Sequence, residues 1–144
     1  MRRTNFLFML IALAMALLAA CSSQVNTEQD VIEIRKVMEQ RARAIVSKDI
    51  ELYQSLFVVD YYDGHYRLPE LIDDMRDNFQ KYSKITLTFQ RAPVELKMNS
   101  ARVIQRLVYH AEGLDKPIHN HEKLLLRRIE GKWYISGGVQ IGLF

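Results

Sequence analysis

The hydrophobic period of this chain changes once, and that change constrains its fold more than any single motif. Up to Phe79 apolar residues recur every three or four positions, as along one face of an α-helix. From Ile85 onward they alternate with polar residues, as on a half-buried strand. A run of helices followed by a run of strands predicts an α+β domain, with the helices packed on one face of an antiparallel sheet.

The helical half divides into three. Thr27 and Asp30 form an approximate helix start, with the acid placed in the first turn. Val31, Ile34, Val37, Met38, Ala42 and Ile45 then predict a long amphipathic helix reaching about Ser47. "KDIELYQSLF" predicts a short second helix from about Asp49, burying Ile50, Tyr53, Leu56 and Phe57. Pro69, which suits a first helical turn, opens a third that buries Leu71, Ile72, Met75 and Phe79 and ends near Tyr82.

In the strand half, Ile85, Leu87 and Phe89 sit on odd positions, and Val94, Leu96 and Met98 on even ones. A phase change of one residue at Ala92-Pro93 predicts a bulge in a bent strand. Turns at Asn99-Ser100, "GLDKP" and "EGK" then delimit strands over Ala101–Glu112, Ile118–Ile129 and Lys132–Ile141. Trp133 falls beside the last turn, with Ile135 on its side of the strand.

The N-terminus has a different character. Arg2 and Arg3 precede an uncharged apolar run from Phe6 to Ala20, short of the about 20 residues a membrane-spanning helix needs. A basic start, a short apolar middle and small residues at the end have the form of a secretory signal. The closing "LAAC" resembles the bacterial lipobox. That resemblance implies a signal peptide over residues 1–20, a diacylated Cys21 as mature N-terminus, a polar tether over 21–27 and a folded domain over 28–144. Ser22, in place of aspartate, would send a Gram-negative lipoprotein to the periplasmic face of the outer membrane. A secreted protein with a free thiol and an uncleaved anchor are the alternatives. Cys21 is the only cysteine, so no disulfide can form within the chain. Loss of Arg2 and Arg3 with the leader lowers the formal charge of +3 by two. No basic cluster interleaved with aromatics is present, which argues against a nucleic-acid partner.

"AIVSKDIELYQSLFVVDYYDG" and the closing "LLLRRIEGKWYIS", in that order, resemble the nuclear transport factor 2-like superfamily, also called SnoaL-like or cystatin-like cone folds. The resemblance implies three helices on the concave face of a strongly bent antiparallel sheet, with a pocket at the open end of the cone. The superfamily holds isomerases, dehydratases, cyclases, transport factors and non-catalytic binding domains, so it implies a pocket and no particular reaction.

Strand alternation sorts the polar residues. Gln105, Tyr109, Asn120 and Glu122 fall on the apolar inner face, where they need partners, water or a ligand. A buried hydrogen-bonded network would satisfy them equally. By the family resemblance the loop "DYYDGHY" adds Asp60, Tyr62, His65 and Tyr66 to the pocket rim, unless it is only a solvated turn. Acid–base chemistry would fall to Asp60, His65 or Glu122. The sequence has no nucleophile elbow and no phosphate-cradling glycine loop. His110, His119 and His121 share the outer face, and a turn at Gly113–Lys116 predicts His110 opposite His119. Arg102, Arg106 and Lys123 on that face disfavour a cation, so no metal or other cofactor is predicted.

Two functional readings remain. The first is a lipid-anchored envelope module that binds a small amphipathic ligand or serves a partner, with a homodimer formed through the outer sheet face. The second is an envelope enzyme performing isomerisation or dehydration. The first is preferred, because one inner carboxylate and an unplaced histidine do not make an acid, a base and an oxyanion site together.

Overall fold

The computed structural model describes residues 27–90 and 93–139. The chain divides into two compact units, Met1–Ile32 and Glu33–Phe144. Within the first, residues 27–32 are helical. The second contains everything that follows.

Helix α1 is described over residues 27–47. Ile34, Val37, Met38, Ala44 and Ile45 form its buried stripe. Arg41 also lies in this stripe, whereas the predicted Ala42 is only half-buried. The helix ends in a Schellman-type turn. The Asp49 N–H donates to the Ala44 carbonyl at 2.9 Å and the Lys48 N–H to Ile45 at 3.3 Å, with Lys48 at φ 57°. The Lys48 Nζ reaches the Tyr82 carbonyl and so ties this turn to the end of the third helix.

Asp49 then caps α2 (Ile50–Ser55), its Oδ1 accepting the Leu52 N–H at 2.9 Å. Helix α3 (Leu68–Lys81) carries Pro69 in its first turn, and Glu70 accepts the Arg67 N–H at 2.6 Å. Its buried residues are Leu71, Ile72, Met75 and Asn78. Phe79, predicted to be buried, is only partly so, because Asn78 holds the adjacent inward position. The Asn78 amide is satisfied there by the Asp74 carbonyl at 2.9 Å.

The sheet contains β1 (Ile85–Phe89), β2 (Val94–Lys97), β3 (Ser100–Ala111), β4 (Ile118–Ile129) and β5 (Lys132–Gly137). It is antiparallel and strongly curled, in the order β1-β3-β4-β5, with β2 also pairing β3. Phe89 faces Leu107 while Val94 faces Val103, so five steps on one side match four on the other. That extra residue is what the phase change at Ala92-Pro93 requires. Glu130 and Gly131, at φ 49° and 80°, turn β4 into β5 as a two-residue hairpin loop. Beyond β5, the backbone of residues 56–58 bonds to Ile135, the Ile135 N–H donating to Leu56 at 2.8 Å and the Val58 N–H to Ile135 at 3.0 Å.

Strand β5 ends at Gly137, short of the predicted Ile141. Gly138 turns away at φ 84°, packed so tightly that a Cβ there would stand 2.0 Å from the Lys123 carbonyl oxygen. Residues 140–144 lie outside the described residues. Trp133 and Ile135 are buried on one side of β5, as their alternation predicts. The core joins Ile34, Ile45, Tyr53, Leu71 and Met75 from the helices to Val103, Leu107, Leu124, Leu126 and Ile135 from the sheet.

Candidate functional site

Even-numbered residues of β4 and odd-numbered residues of β3 face the helices. Register places Gln105 directly opposite Glu122 on that inner face. Arg41 projects from α1 onto the same pair. Its Nη1 and Nη2 donate to the two carboxylate oxygens of Glu122 at 2.7 and 2.9 Å, and Gln105 Nε2 donates to Oε2 at 3.1 Å. Arg41 is 2% exposed and Glu122 1%. This two-pronged, charge-assisted contact is the strong form of the arginine–carboxylate pair.

Burial alone would lower the Arg41 pKa, but the Glu122 charge, helped by Tyr53 and Tyr109, outweighs it and holds the value well above the arginine norm. Burial also pushes the Tyr53 and Tyr109 phenols upward, against the pull of the Arg41 charge, so both hydroxyls stay protonated. The Arg41 Nε is buried without a hydrogen-bond partner among the described residues. Arg41 was missed by sequence reasoning, although a signal existed: it follows Val37 and Met38 and precedes Ile45 at helical spacing. A cation on an apolar stripe needs an inner-face anion, and Glu122 was the one available.

The inner face thus carries three of the four predicted polar residues in one cluster. Gln105, Tyr109 and Glu122 are buried together around Arg41. Asn120, on the same inner face, is half-buried opposite Leu107. Gln105 also lines a small cavity of about 40 Å³ between α1 and the β1–β2 side of the sheet, walled by Arg35, Met38, Phe89 and Val94. That volume has room for little more than a water molecule. Neither Tyr109 nor Glu122 lines it.

The loop residues find other partners. Asp60 is exposed and pairs with Arg127, which points from the outer face of β4. That hydrogen bond holds the Asp60 carboxyl below its usual value. Burial pushes the Asp63 carboxyl up, but the His65 and Tyr66 N–H groups, donating to its Oδ1 at 2.9 and 2.8 Å, bring the net shift down. Tyr61, buried beneath the loop, donates to Asp63 Oδ2 at 3.2 Å and accepts the Val139 N–H at 3.2 Å. Tyr62 donates to the Gly64 carbonyl at 2.7 Å, with the Arg67 guanidinium over its ring. His65 and Tyr66 are exposed and meet edge to face. The loop is therefore a self-bonded turn. Asp60 and Glu122 engage partners on opposite faces of β4, so the structure does not bring the predicted acid–base residues to a common partner.

The three histidines are exposed on the outer face, but not in the predicted pairing. His119 lies opposite Val108, His121 opposite Arg106 and His110 opposite Thr86 of β1. The β3–β4 turn is centred one residue earlier than predicted, which slides the register by two and preserves the face. No group of metal-ligating side chains forms among the described residues.

Comparison with solved structures settles the architecture. An 18%-identical Nostoc punctiforme protein with a cystatin-like fold superposes with a TM-score of 0.64, over 76% of this chain and 88% of that one. The fold is nuclear transport factor 2-like. A Streptomyces avermitilis protein described as a proposed dehydratase of the nuclear transport factor 2-like family matches at 0.63 and 13% identity, over 77% of this chain and 94% of that one. A Bdellovibrio bacteriovorus protein matches at 0.67 and 12% identity over 75% of this chain, which spans 38% of that longer one. Neighbours of the same fold include proteins described as a hexachlorocyclohexane dehydrochlorinase and a proposed scytalone dehydratase, at 12% and 9% identity. No family model and no curated protein matches the sequence.

Proposed function

We propose that this nuclear transport factor 2-like domain is a binding or accessory module of the bacterial envelope, held to a membrane through lipid on Cys21. The observation that carries the non-catalytic part is the state of Glu122. A general base must be free to accept a substrate proton, and this carboxylate has both oxygens engaged by Arg41, while the cavity beside Gln105 is small and not lined by it. Asp60 is likewise held by Arg127. The anchoring part is supported by "LAAC" after the apolar run; Cys21 itself lies outside the described residues. Among the described residues no helix is long and apolar enough to cross a membrane.

The fold neighbours described as dehydratases and a dehydrochlorinase favour the second reading, an envelope enzyme that moves a proton and expels a leaving group. Assay of the purified chain against enolisable ketones and β-hydroxy ketones separates the two. The binding reading expects no turnover above buffer. Turnover abolished by Asp60→Asn or His65→Gln, surface changes that leave the Arg41–Glu122 pair intact, would replace it with the enzyme.

A further inference from the structure

The outer face of the sheet carries basic residues beside exposed apolar ones such as Ile104 and Leu125, and its charges are unevenly satisfied. Arg102 is held by Glu95 and Arg127 by Asp60. The side chains of Arg106, Lys123, His119 and His121 make no hydrogen bond or ion pair among the described residues.

Register shows how these free groups are arrayed. Thr88, Val108 and His119 form one row across β1, β3 and β4. Arg106 and His121 form the next, flanked by Gln90, whose backbone N–H bonds the Arg106 carbonyl at 3.3 Å. Val108 is the small, half-buried member, so the longer side chains around it enclose a depression. These residues, with Phe89 and the chain at Leu107 and Asn120, line a groove of about 350 Å³. The groove offers a guanidinium fork, two imidazoles, a hydroxyl and the Gln90 amide, and among the described residues no carboxylate lines it. Lys123 follows His121 on the same face and adds to the positive field.

We propose that this groove binds a phosphate group, as a soluble phosphomonoester or as the headgroup of an anionic lipid. A tetrahedral dianion presents oxygens in several directions and is met best by donors converging from several strands, with arginine as the forked contact. The neighbouring groove, lined by Arg102, Arg127, Lys97, Lys123 and Glu95, is the internal contrast, because both its arginines are already held by carboxylates and it offers no free guanidinium.

The test uses the full chain in an uncharged detergent. Inorganic phosphate and glycerol 3-phosphate are titrated against ¹⁵N-labelled protein at constant ionic strength, with chloride and acetate as comparison anions. Saturable shifts are expected at residues 88, 106, 119 and 121. Arg106→Gln should weaken binding at least tenfold and His119→Gln several-fold. Arg102→Gln, which removes the same charge from the same face, should change it less than twofold. Binding of vesicles containing phosphatidic acid, but not of pure phosphatidylcholine, that glycerol 3-phosphate competes away would assign the lipid source. Soluble binding without vesicle capture would assign the soluble one. The proposal is overturned if acetate or chloride matches phosphate, if Arg102→Gln weakens binding as much as Arg106→Gln, or if sedimentation shows a dimer that gives no phosphate response. That last result would give the face to a second copy of the chain.

Discussion

Arg41 and Glu122 are two opposite charges removed from water, and neither could remain charged there without the other. Removing one partner of such a pair leaves an uncompensated charge in the core, at a cost of about 3–5 kcal/mol. Glu122→Gln and Arg41→Met should each destabilise the domain by that order in urea unfolding. Arg41→Met combined with Glu122→Leu should recover most of the loss, since an apolar pair of similar volume needs no charge compensation. A double variant no more stable than the singles would show that the ion pair contributes more than an apolar pair in its place. A second residue-scale effect concerns Asp63, whose two backbone donors depress its pKa. A carboxyl that is more acidic folded than unfolded contributes stability above the ordinary aspartate range, about 3.9, and loses it as pH falls through the lower folded value. Stability should therefore decline on acidification in that window. Asp63→Asn should flatten the decline, which acid titrations of the melting temperature can measure.

At the scale of elements, the two ends of β5 rest on glycines of similar φ but different surroundings. Gly131 in the β4–β5 hairpin has φ 80° and open space around it, while Gly138 has φ 84° and the Lys123 carbonyl against it. Gly131→Ala should cost about 1–2 kcal/mol, the strain of a left-handed residue alone. Gly138→Ala must also displace backbone and should cost clearly more, with thermal melts giving the order. Equal losses would show that the chain after β5 shifts freely. The same element explains why the last strand is shorter than its apolar run. Alternation in "KWYISGGVQI" continues past Gly137, but strand pairing stops where Gly138 packs on β4.

For the whole molecule, the decisive question is the anchor. Intact mass of the membrane-extracted protein should show cleavage before Cys21 with added acyl mass, and Cys21→Ser should abolish both. A mature form without lipid, unchanged by Cys21→Ser, would leave a domain with no tie to a membrane. Lipid anchoring also bears on the outer-face groove, because a tethered domain meets anionic headgroups at high effective concentration. Loss of the anchor would leave phosphate binding measurable in solution, so the two proposals fail separately.

Periodicity by itself determined the three helices, four strands and the face on which most residues lie; the structure divides the first, bent strand into β1 and β2. It did so because a period of 3.6 or 2 is a local property of the chain, and a one-residue register error would have turned every apolar side chain outward. The one-residue offset between β1 and β2 was legible for the same reason, from a phase change beside Pro93. Tertiary structure alone decided who meets whom. The His110–His119 pairing slipped because turn residues do not specify the centre of a hairpin to within one position. Gln105, Tyr109 and Glu122 were placed inward by alternation, yet a polar residue facing inward can meet a ligand, water or another side chain. The choice came from Arg41, 81 positions earlier in sequence, brought across the core by the packing of α1 on the sheet. No local pattern encodes that distance, and it is what turned an open site into a buried ion pair.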